Sequence, residues 1–535
     1  MDATPEQLKG LFPTPLAFAP SPVLQPPTRH AGWSPESTEA VLTDLKENHT
    51  RWHIFFNEKH FHNHAAHHLL AIYAMGANAE LLNAAYHTHV VYMKPAFPPP
   101  DEEELKRIQD ARKAIITESN WKEHLGDERY YQAYVAFFSR VLLLRSDGIS
   151  SVLEDYVFSK DANVVPASNG SKPMMLSRFL AGFLHPLIHA GYGSEFGLPG
   201  LIAEGIAEAT AQRTEADSLF PAELFEAAPG GLTSRFSAFI LSSVPATKEI
   251  HALTVLARVA KDDTFAPSNV KLPVPSGEDE NSVDRVVRIG GQKLVEYTGD
   301  WMKSVTPDKD VLRKKFEEVV WMNAIAYGVG GYAGRNQGED ENKEFNGDFF
   351  YMHLVTSSLM TISLLNTLSP ASASLLLRTY FIFSLVLYVA RGRPPLPIAD
   401  FYAATTTAPS PPSSSTLKPA DETLPPSETP NPWLPILQTT LVHPNEHLCK
   451  AQRALYHYAE TLGGTPAGHF TGIVKGLDGA EKLDGSLFVR IAGLTANRLG
   501  WMREGQTKRT WDNGGFFETT EKERVQAVQG MYYGA

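Results

Sequence analysis

Cysteine is nearly absent from this chain of 535 residues, which contains a single one, Cys449. One thiol excludes an intramolecular disulfide, an iron–sulfur cluster and a zinc ribbon, so the fold does not require an oxidising compartment. Basic residues are outnumbered by acidic ones, 48 to 60, and form no dense stripe along the sequence. This charge balance argues against nucleic acid as a partner, because phosphate binding needs a basic surface.

A secretory signal and an uninterrupted apolar run are also missing. The first ten residues are polar and predict no signal peptide, so we expect a cytoplasmic protein. The most apolar stretch, residues 354–390, is interrupted by Ser369-Pro370 and contains Arg378. Each piece is shorter than the roughly 20 apolar residues that a membrane span needs. The stretch therefore predicts two buried helices and no membrane partner.

Alternation of apolar and polar residues with period two is scarce, whereas apolar spacings of three and four recur along most of the chain. Short exceptions such as Val286-Val287-Arg288-Ile289 predict a small hairpin at most. We therefore predict an all-α fold, a single large helical domain with long irregular loops. The main helices are expected at about residues 60–75, 101–118, 130–144, 175–190, 201–215, 316–327, 350–368, 375–390 and 446–462.

Proline and serine mark the segments that we expect to lie outside the helical core. Residues 1–36 are rich in proline and predict an extended lead-in. Residues 403–433 are dominated by Ser, Thr, Pro and Ala, a composition that cannot bury enough apolar surface to order itself. We interpret this segment as a disordered insertion. The core is then predicted over residues 37–402 and continues over residues 434–535.

Histidine is the conspicuous residue, with nineteen copies, seven of them between positions 49 and 68. Neutral imidazole is the commonest protein ligand of transition metals, and two imidazoles one helical turn apart can converge on one ion. Because burying imidazole without a partner is costly, a metal shared between four helices would explain the pattern. The histidines recur among apolar residues in four segments: His60, His64, His67 and His68; His185 and His189; His353; and His443 and His447, the last followed by Lys450.

Simpler readings of these residues stay open at this point. A lone buried histidine such as His353 is more often a hydrogen-bonded core residue than a metal ligand. The run over residues 60–68 could be a solvated polar face of a helix, and Lys450 could reach solvent. Two glycine-rich segments, residues 191–197 and 328–334, follow no strand and therefore do not predict a dinucleotide site.

Five segments of the chain occur in the order expected of one known family: HIFFNEKHFHNHAAHHLLAIYAMGA, FLHPLIHAGYGSEFG, DFFYMHLVTSSL, RTYFIFSLVLYVARGRPPL and HPNEHLCKAQRALYHYA. On these segments the chain resembles the questin oxidase-like family of fungal enzymes over roughly residues 40–500. It departs from the family at Lys59-His60 and in the insertion at residues 403–433. The resemblance implies an oxygenase of polyketide secondary metabolism that uses O2 to open the central quinone ring of an anthraquinone. Such reactions are described as Baeyer–Villiger-like and NADPH-linked.

Matching the family motifs gives a predicted set of catalytic and metal-binding residues. Four neutral imidazoles leave an iron(II) ion with its full charge, whereas oxygen-activating iron sites usually include an anionic oxygen ligand. A lysine buried beside a cation shifts towards the neutral amine, which can take up CO2 to form an anionic carbamate. The alternative is that Lys450 contacts substrate oxygen or pairs with Glu446. The predicted iron(II) ligands are His64, His185, His353, His447 and Lys450 as its carbamate, with His68 and His189 as a second tier.

Aromatic residues close in sequence to these histidines are the predicted contacts of an anthraquinone substrate. NADPH is expected only as a reductant. One rival hypothesis is a metal-free mono-oxygenase in which histidines act as general bases. Another is a helical binding protein that carries a metal or an aromatic ligand without turnover. The predicted substrate contacts are Tyr73, Tyr86, Tyr92, Phe183 and Tyr192.

Overall fold

All regular secondary structure in the described part of the chain is helical. Its α-helices are joined by loops and short 3-10 or π turns, and no β-strand occurs among the described residues. Two isolated bridges, Phe55 with His62 and Asp348 with Asp512, are the β-type contacts found there. The predicted all-α class is confirmed. The computed structural model describes residues 3–15, 24–57, 60–93, 102–225, 249–275, 278, 280–335, 344–412 and 430–517.

The described residues form nine α-helices before residue 226 and nine after residue 248. The first nine are α1 (Pro5–Leu11), α2 (Pro35–Arg51), α3 (Ala65–Ala74), α4 (Ala79–Val90), α5 (Glu102–Lys113), α6 (Tyr131–Leu144), α7 (Gly148–Leu153), α8 (Met175–Phe196) and α9 (Pro199–Ala211). The second nine are α10 (Ala252–Lys261), α11 (Ser282–Met302), α12 (Lys309–Ala333), α13 (Phe349–Thr367), α14 (Pro370–Ala390), α15 (Ile398–Ala404), α16 (Trp433–Leu441), α17 (Glu446–Leu462) and α18 (Leu487–Leu499).

Helices α13 and α14 are the two buried helices that the apolar stretch predicts. Ser369 caps α14 and Pro370 occupies its first turn, so the same residues that interrupt the apolar run separate the helices. Helix α14 is long and apolar enough to cross a membrane, yet 94% of its most apolar window is buried inside the protein. Its apolar side chains therefore contact other helices of the domain.

Two local predictions are wrong. Residues 286–289 do not form a hairpin but lie within α11, where Val283, Val286 and Val287 are buried on one helical face. Residues 5–11 form α1 inside the stretch expected to be extended, because Thr4 and Gln7 make a reciprocal capping box in front of Pro5. Of the predicted insertion, residues 413–429 lie outside the described residues.

The predicted helix over residues 60–75 begins five residues later than expected. His60 has a left-handed backbone (φ 57°), and the first helical residue of α3 is Ala65. His60 and His64 therefore do not share a helical face, and the spacing argument that joined them is wrong. His64 instead occupies the N-cap position, immediately before the helix.

Four helices meet where the histidines converge. Helix α8 packs against α9 and α13, α13 packs against α17, and α17 packs against α3. These contacts place the histidine-bearing starts of α3, α13 and α17 and the middle of α8 around a common interior.

Candidate metal centre

The structure brings together the four histidines that the sequence singles out. The ligand nitrogens of His64, His185 and His447 lie within 4.8 Å of one another, and all three side chains are buried. The ring of His353 lies 5.0 Å from that of His185 and 5.1 Å from that of His447. We call these four residues, with the buried Lys450, the inner cluster.

A break in α8 sets the position of His185. Gly182, Phe183 and Leu184 all have left-handed backbones, with φ between 55° and 69°. For the two residues with side chains, this conformation costs about 1–2 kcal/mol each. Pro186 has no N–H and cannot bond to the carbonyl of Gly182 four residues earlier. That oxygen instead accepts a hydrogen bond from Nδ1 of His185 (2.5 Å).

His353 and His447 are placed by the first turns of their helices. Asp348 caps α13 through the N–H groups of Phe350 and Tyr351. Nδ1 of His353 donates to the carbonyl oxygen of Phe349, one turn earlier (2.7 Å). Asn445 caps α17, and Nδ1 of His447 lies 3.1 Å from Oε1 of Glu446. In both residues Nδ1 is occupied, and Nε2 is the nitrogen left to face the interior.

Buried ring nitrogens without protein partners give the test of whether a metal fits. Nε2 of His353, Nε2 of His447 and Nζ of Lys450 are buried and find no hydrogen-bond partner in the described structure. Nε2 of His64 lies 2.8 Å from Nε2 of His185. Two nitrogens bound at about 2.1 Å to adjacent positions of one ion are separated by about 3 Å. The separation of His64 and His185 is thus that of two metal ligands, and Nδ1 of His185, His353 and His447 each lies against a neighbouring oxygen, as in metal-binding histidines.

Burial keeps these imidazoles in the neutral form that binds metals. It lowers the pKa of His64 and His353 well below its usual value, and neighbouring cationic groups lower it further. For His447, burial followed by the charge of Lys450 lowers the pKa to about 4. Burial likewise lowers the pKa of Lys450 to about 8. Glu446 lies beside two of the predicted ligands, since its Oε1 is also 3.6 Å from Nδ1 of His64.

A second, connected group of buried polar residues lies behind the inner cluster. Nε2 of His67 lies 3.0 Å from Nδ1 of His189, and Nε2 of His189 donates to Oε2 of Glu204 (2.7 Å). Oε1 of Glu204 accepts from Nδ1 of His49 (2.5 Å). Desolvation acts to raise the pKa of Glu204, but the hydrogen bonds from the two imidazoles lower it to about 2. We call these four residues the outer chain.

Helix α9 supplies a ladder of polar side chains that sequence reasoning missed. Glu204, Glu208 and Gln212 follow one another at four-residue steps along one side of this apolar segment. Gln212 contacts Nε2 of His62 (2.7 Å), and Oε1 of Glu208 lies 3.3 Å from the same nitrogen. Burial, then the charge of Glu204, raises the pKa of Glu208 well above its usual value. Two glutamates one turn apart in a wholly apolar stretch are the signal that could have identified this ladder.

The remaining histidines of the predicted set have other partners. The second-tier residue His68 turns away from the inner cluster, since its Nδ1 lies 3.0 Å from Nε2 of His89. Nδ1 of His89 in turn lies 2.5 Å from the hydroxyl of Tyr92. The other second-tier residue, His189, belongs to the outer chain. His443 bonds to the carbonyl oxygen of Leu499, outside the inner cluster.

The predicted substrate contacts divide into those near the inner cluster and those away from it. The ring of Phe183 lies 6.4 Å from that of His353, and Tyr192 stacks on His67 of the outer chain (5.3 Å). Tyr92 reaches the protein surface beside His89, whereas two others do not contact the inner cluster in the described structure. These two are Tyr73, bonded to Thr38, and Tyr86, bonded to Trp52.

The sequence matches one family model over residues 61–455, under the description Questin oxidase-like. This range covers most of the chain and includes all of the inner cluster. The chain belongs to the questin oxidase-like family. The resemblance inferred from the motifs is confirmed.

Several curated proteins that are similar in sequence to this chain are named as oxidising enzymes. A Baeyer-Villiger oxidase of Pestalotiopsis microspora is 27% identical over 338 residues, 62% of this chain and 66% of the relative. An oxidoreductase of Aspergillus parasiticus is 24% identical over 84% of this chain and 79% of its own. A questin oxidase of Aspergillus fumigatus is 29% identical over 32% of this chain and 34% of its own. The chain thus spans less than two thirds of the length of several of these relatives.

Proposed function

We propose that this member of the questin oxidase-like family is an oxygenase that uses O2 to open the central quinone ring of an anthraquinone. We further propose that it works with an iron(II) ion held by His64, His185, His353 and His447. The observation that carries the proposal is the convergence of four neutral imidazoles with two inward Nε2 atoms that no protein group satisfies. The names of the relatives support oxygen chemistry on a quinone substrate.

The bound metal would supply the electronic route by which O2 reacts with an organic substrate. The chain's own residues hold the ligands and exclude water. Half-buried Phe349 lies 4.7 Å from the ring of His353 and 4.8 Å from that of His447. Phe183 contacts Phe350 (4.5 Å) beside it. These rings form an apolar wall on which a planar quinone can stack.

Lys450 is proposed as a fifth ligand after reaction with CO2. Its amine would form an N–C bond with CO2 and release a proton to solvent, which leaves an anionic carbamate. Burial favours the neutral amine that this step needs, and the carbamate would balance part of the charge of iron(II). Lys315 is a natural comparison, because it is equally buried but paired with Glu318 and Glu249.

The carbamate is testable by 13C NMR of the protein equilibrated with labelled bicarbonate. We expect one carbamate resonance that disappears in Lys450→Gln and persists in Lys315→Gln. A spectrum without that resonance, recorded on protein loaded with diamagnetic zinc(II), would contradict the proposed fifth ligand.

The proposed activity is tested by combining metal analysis with oxygen uptake. Protein purified without chelator should contain stoichiometric iron and consume O2 when questin or another anthraquinone is added. Removal of the metal should abolish uptake, and iron(II) should restore it. Tight binding of quinone without O2 consumption by iron-loaded protein would instead indicate a carrier.

The Baeyer-Villiger names of several relatives favour one second candidate, a metal-free mono-oxygenase that takes electrons from NADPH. Buried histidines would then act as general bases towards a phenol. This candidate predicts NADPH oxidation coupled to O2 uptake that a chelator leaves unchanged. Iron-dependent uptake without NADPH would exclude it.

A further inference from the structure

The outer chain links four helices through three consecutive contacts between buried groups. It runs from His67 on α3 to His189 on α8, then to Glu204 on α9 and His49 on α2. Every member is at most 3% exposed. The inner cluster already accounts for the proposed metal ligands, so this second group calls for a separate explanation.

The hydrogen bonds of the outer chain fix which nitrogen of each imidazole carries the proton. The carboxylate of Glu204 only accepts, so Nε2 of His189 must be protonated. For a neutral His189, which carries one N–H, Nδ1 is left as an acceptor for Nε2–H of His67. Nδ1 of His67 is then the unprotonated nitrogen. Glu204 therefore determines which nitrogen of His189 carries the proton, and His189 in turn determines which nitrogen of His67 does.

Nδ1 of His67, at the end of the outer chain, is a buried acceptor beside the proposed metal ligands. Nδ1 of His67 is buried and has no donor among the described residues. The ring is nearly parallel to the rings of Tyr192, at 5.3 Å, and His185, at 6.4 Å. It is also 5.7 Å from the ring of His64. A buried acceptor without a donor is unfavourable, so a ligand that brings a donor is favoured here.

We propose that Glu204 is a positioning residue that, through His189, holds Nδ1 of His67 as the hydrogen-bond acceptor for a phenolic hydroxyl of the substrate. This proposal rests on the proposed function and narrows its substrate class to hydroxylated quinones. A phenol donates to such an acceptor, whereas the corresponding methyl ether cannot. One hydrogen bond of this kind corresponds to a preference of about tenfold.

The tautomer is tested first, on the metal-free protein, by 15N NMR of the histidine side chains. The signals of His67 are assigned from their loss in His67→Phe. We expect protonated Nε2 and unprotonated Nδ1, and we expect Glu204→Leu to shift both signals towards a mixture of tautomers. A proton on Nδ1 in the unmodified protein, or signals unchanged by Glu204→Leu, would overturn the proposal.

Ligand preference is tested next, by anaerobic binding of 2-hydroxyanthraquinone and its methyl ether, followed by tryptophan fluorescence. The unmodified protein should bind the phenol about tenfold more tightly than the ether. His67→Phe should abolish this preference and retain the metal, and the matched control His443→Phe, at a buried histidine outside the inner cluster and the outer chain, should keep the preference. Loss of metal in His67→Phe would show that His67 is a ligand and would overturn the proposal.

The two proposals fail in distinguishable ways. Equal binding of phenol and ether by the unmodified protein would overturn the role of His67 alone. Nδ1 of His67 would then accept a hydrogen bond from water and not from the substrate. Failure of both quinones to bind would overturn the substrate class on which the proposed function rests.

Discussion

The inner cluster and the outer chain are both built mainly from buried histidines, yet their ring nitrogens are arranged differently. In the outer chain, Glu204 joins His49 and His189, and His189 joins His67, which leaves one nitrogen without a partner among the described residues at each end, Nε2 of His49 and Nδ1 of His67. In the inner cluster, Nε2 of His353 and Nε2 of His447 have no protein partner in the described structure, and their rings lie 5.1 Å apart. Burial with one free nitrogen therefore does not distinguish a structural histidine from a candidate ligand, whereas convergence of such histidines does.

The difference teaches how to read buried imidazoles. A histidine that stabilises the fold uses its nitrogens on protein groups, because an unsatisfied buried polar atom is costly. A histidine that binds metal uses Nδ1 on a neighbouring oxygen and keeps Nε2 for the ion. His353 shows the second pattern, and His68, bonded to His89, shows the first.

The largest expected effect comes from one substitution made in both environments. His353→Leu should abolish stoichiometric metal binding but change the unfolding free energy of the metal-free protein by less than about 1 kcal/mol. His68→Leu should retain the metal and cost about 1–3 kcal/mol, because Nε2 of His89 loses its partner. Metal analysis and urea unfolding measure the two effects. Loss of metal in His68→Leu would contradict the distinction between His353 as a proposed ligand and His68 as a structural residue.

Acidification should destabilise the metal-free protein by several kcal/mol. Burial lowers the pKa of His62 and His68 to about 3 and that of His53 and His89 to about 4. Below about pH 6.5 the unfolded chain binds protons that the folded chain does not. Stability is therefore fully present above that pH and falls below it, by up to about 1.4 kcal/mol per pH unit for each group.

Urea unfolding at pH 7, 6 and 5 measures this pH dependence. A His68→Leu, His89→Phe double variant should show a shallower fall than the unmodified protein. Stability that stays constant or rises on acidification would contradict neutral burial of these histidines.

A smaller effect on metal affinity is expected from replacing Glu446, which lies beside two of the proposed metal ligands. Glu446→Gln removes the negative charge beside Nδ1 of His447 and Nδ1 of His64. We expect metal affinity to fall by about 10- to 100-fold, as for other residues that orient metal ligands. Competition with a fluorescent chelator measures it. Glu47→Gln, in an exposed pair with Arg51, is the control and should leave affinity unchanged.

The smallest effect is expected at the break in α8. A Cβ on Gly182 would lie 2.7 Å from the side-chain amide nitrogen of Gln212, and the backbone there is left-handed. Gly182→Ala should therefore cost more stability than Gly170→Ala, which is left-handed but open to space. We expect metal affinity to fall less than tenfold, and only in Gly182→Ala. Equal stability losses in the two variants would show that the close packing has no consequence.

Most of the helical architecture could be predicted because apolar spacing records it locally. Helix α17 has the predicted bounds, residues 446–462, and α13 and α14 are close to theirs. The start of α3 could not be placed this way. The side chain of Asn63 bonds to the N–H of Ala65 and to Asn48 of the preceding helix α2, and so delays the helix start.

The inner cluster could be predicted only as a set of residue types. Histidines in four apolar helices indicate a shared centre, but no local pattern tells which nitrogen faces inward. The contribution of Glu204 was missed because a glutamate in a helix ordinarily faces solvent. Its role becomes visible once α9 packs on α8 and places it beside His189.

The central claim is that four imidazoles hold one ion, and anomalous X-ray scattering at the iron edge tests it most directly. Crystals of protein purified without chelator should show one peak of anomalous density in contact with Nε2 of His64, His185, His353 and His447. Density at another place, or catalytically active crystals without any iron peak, would contradict the account.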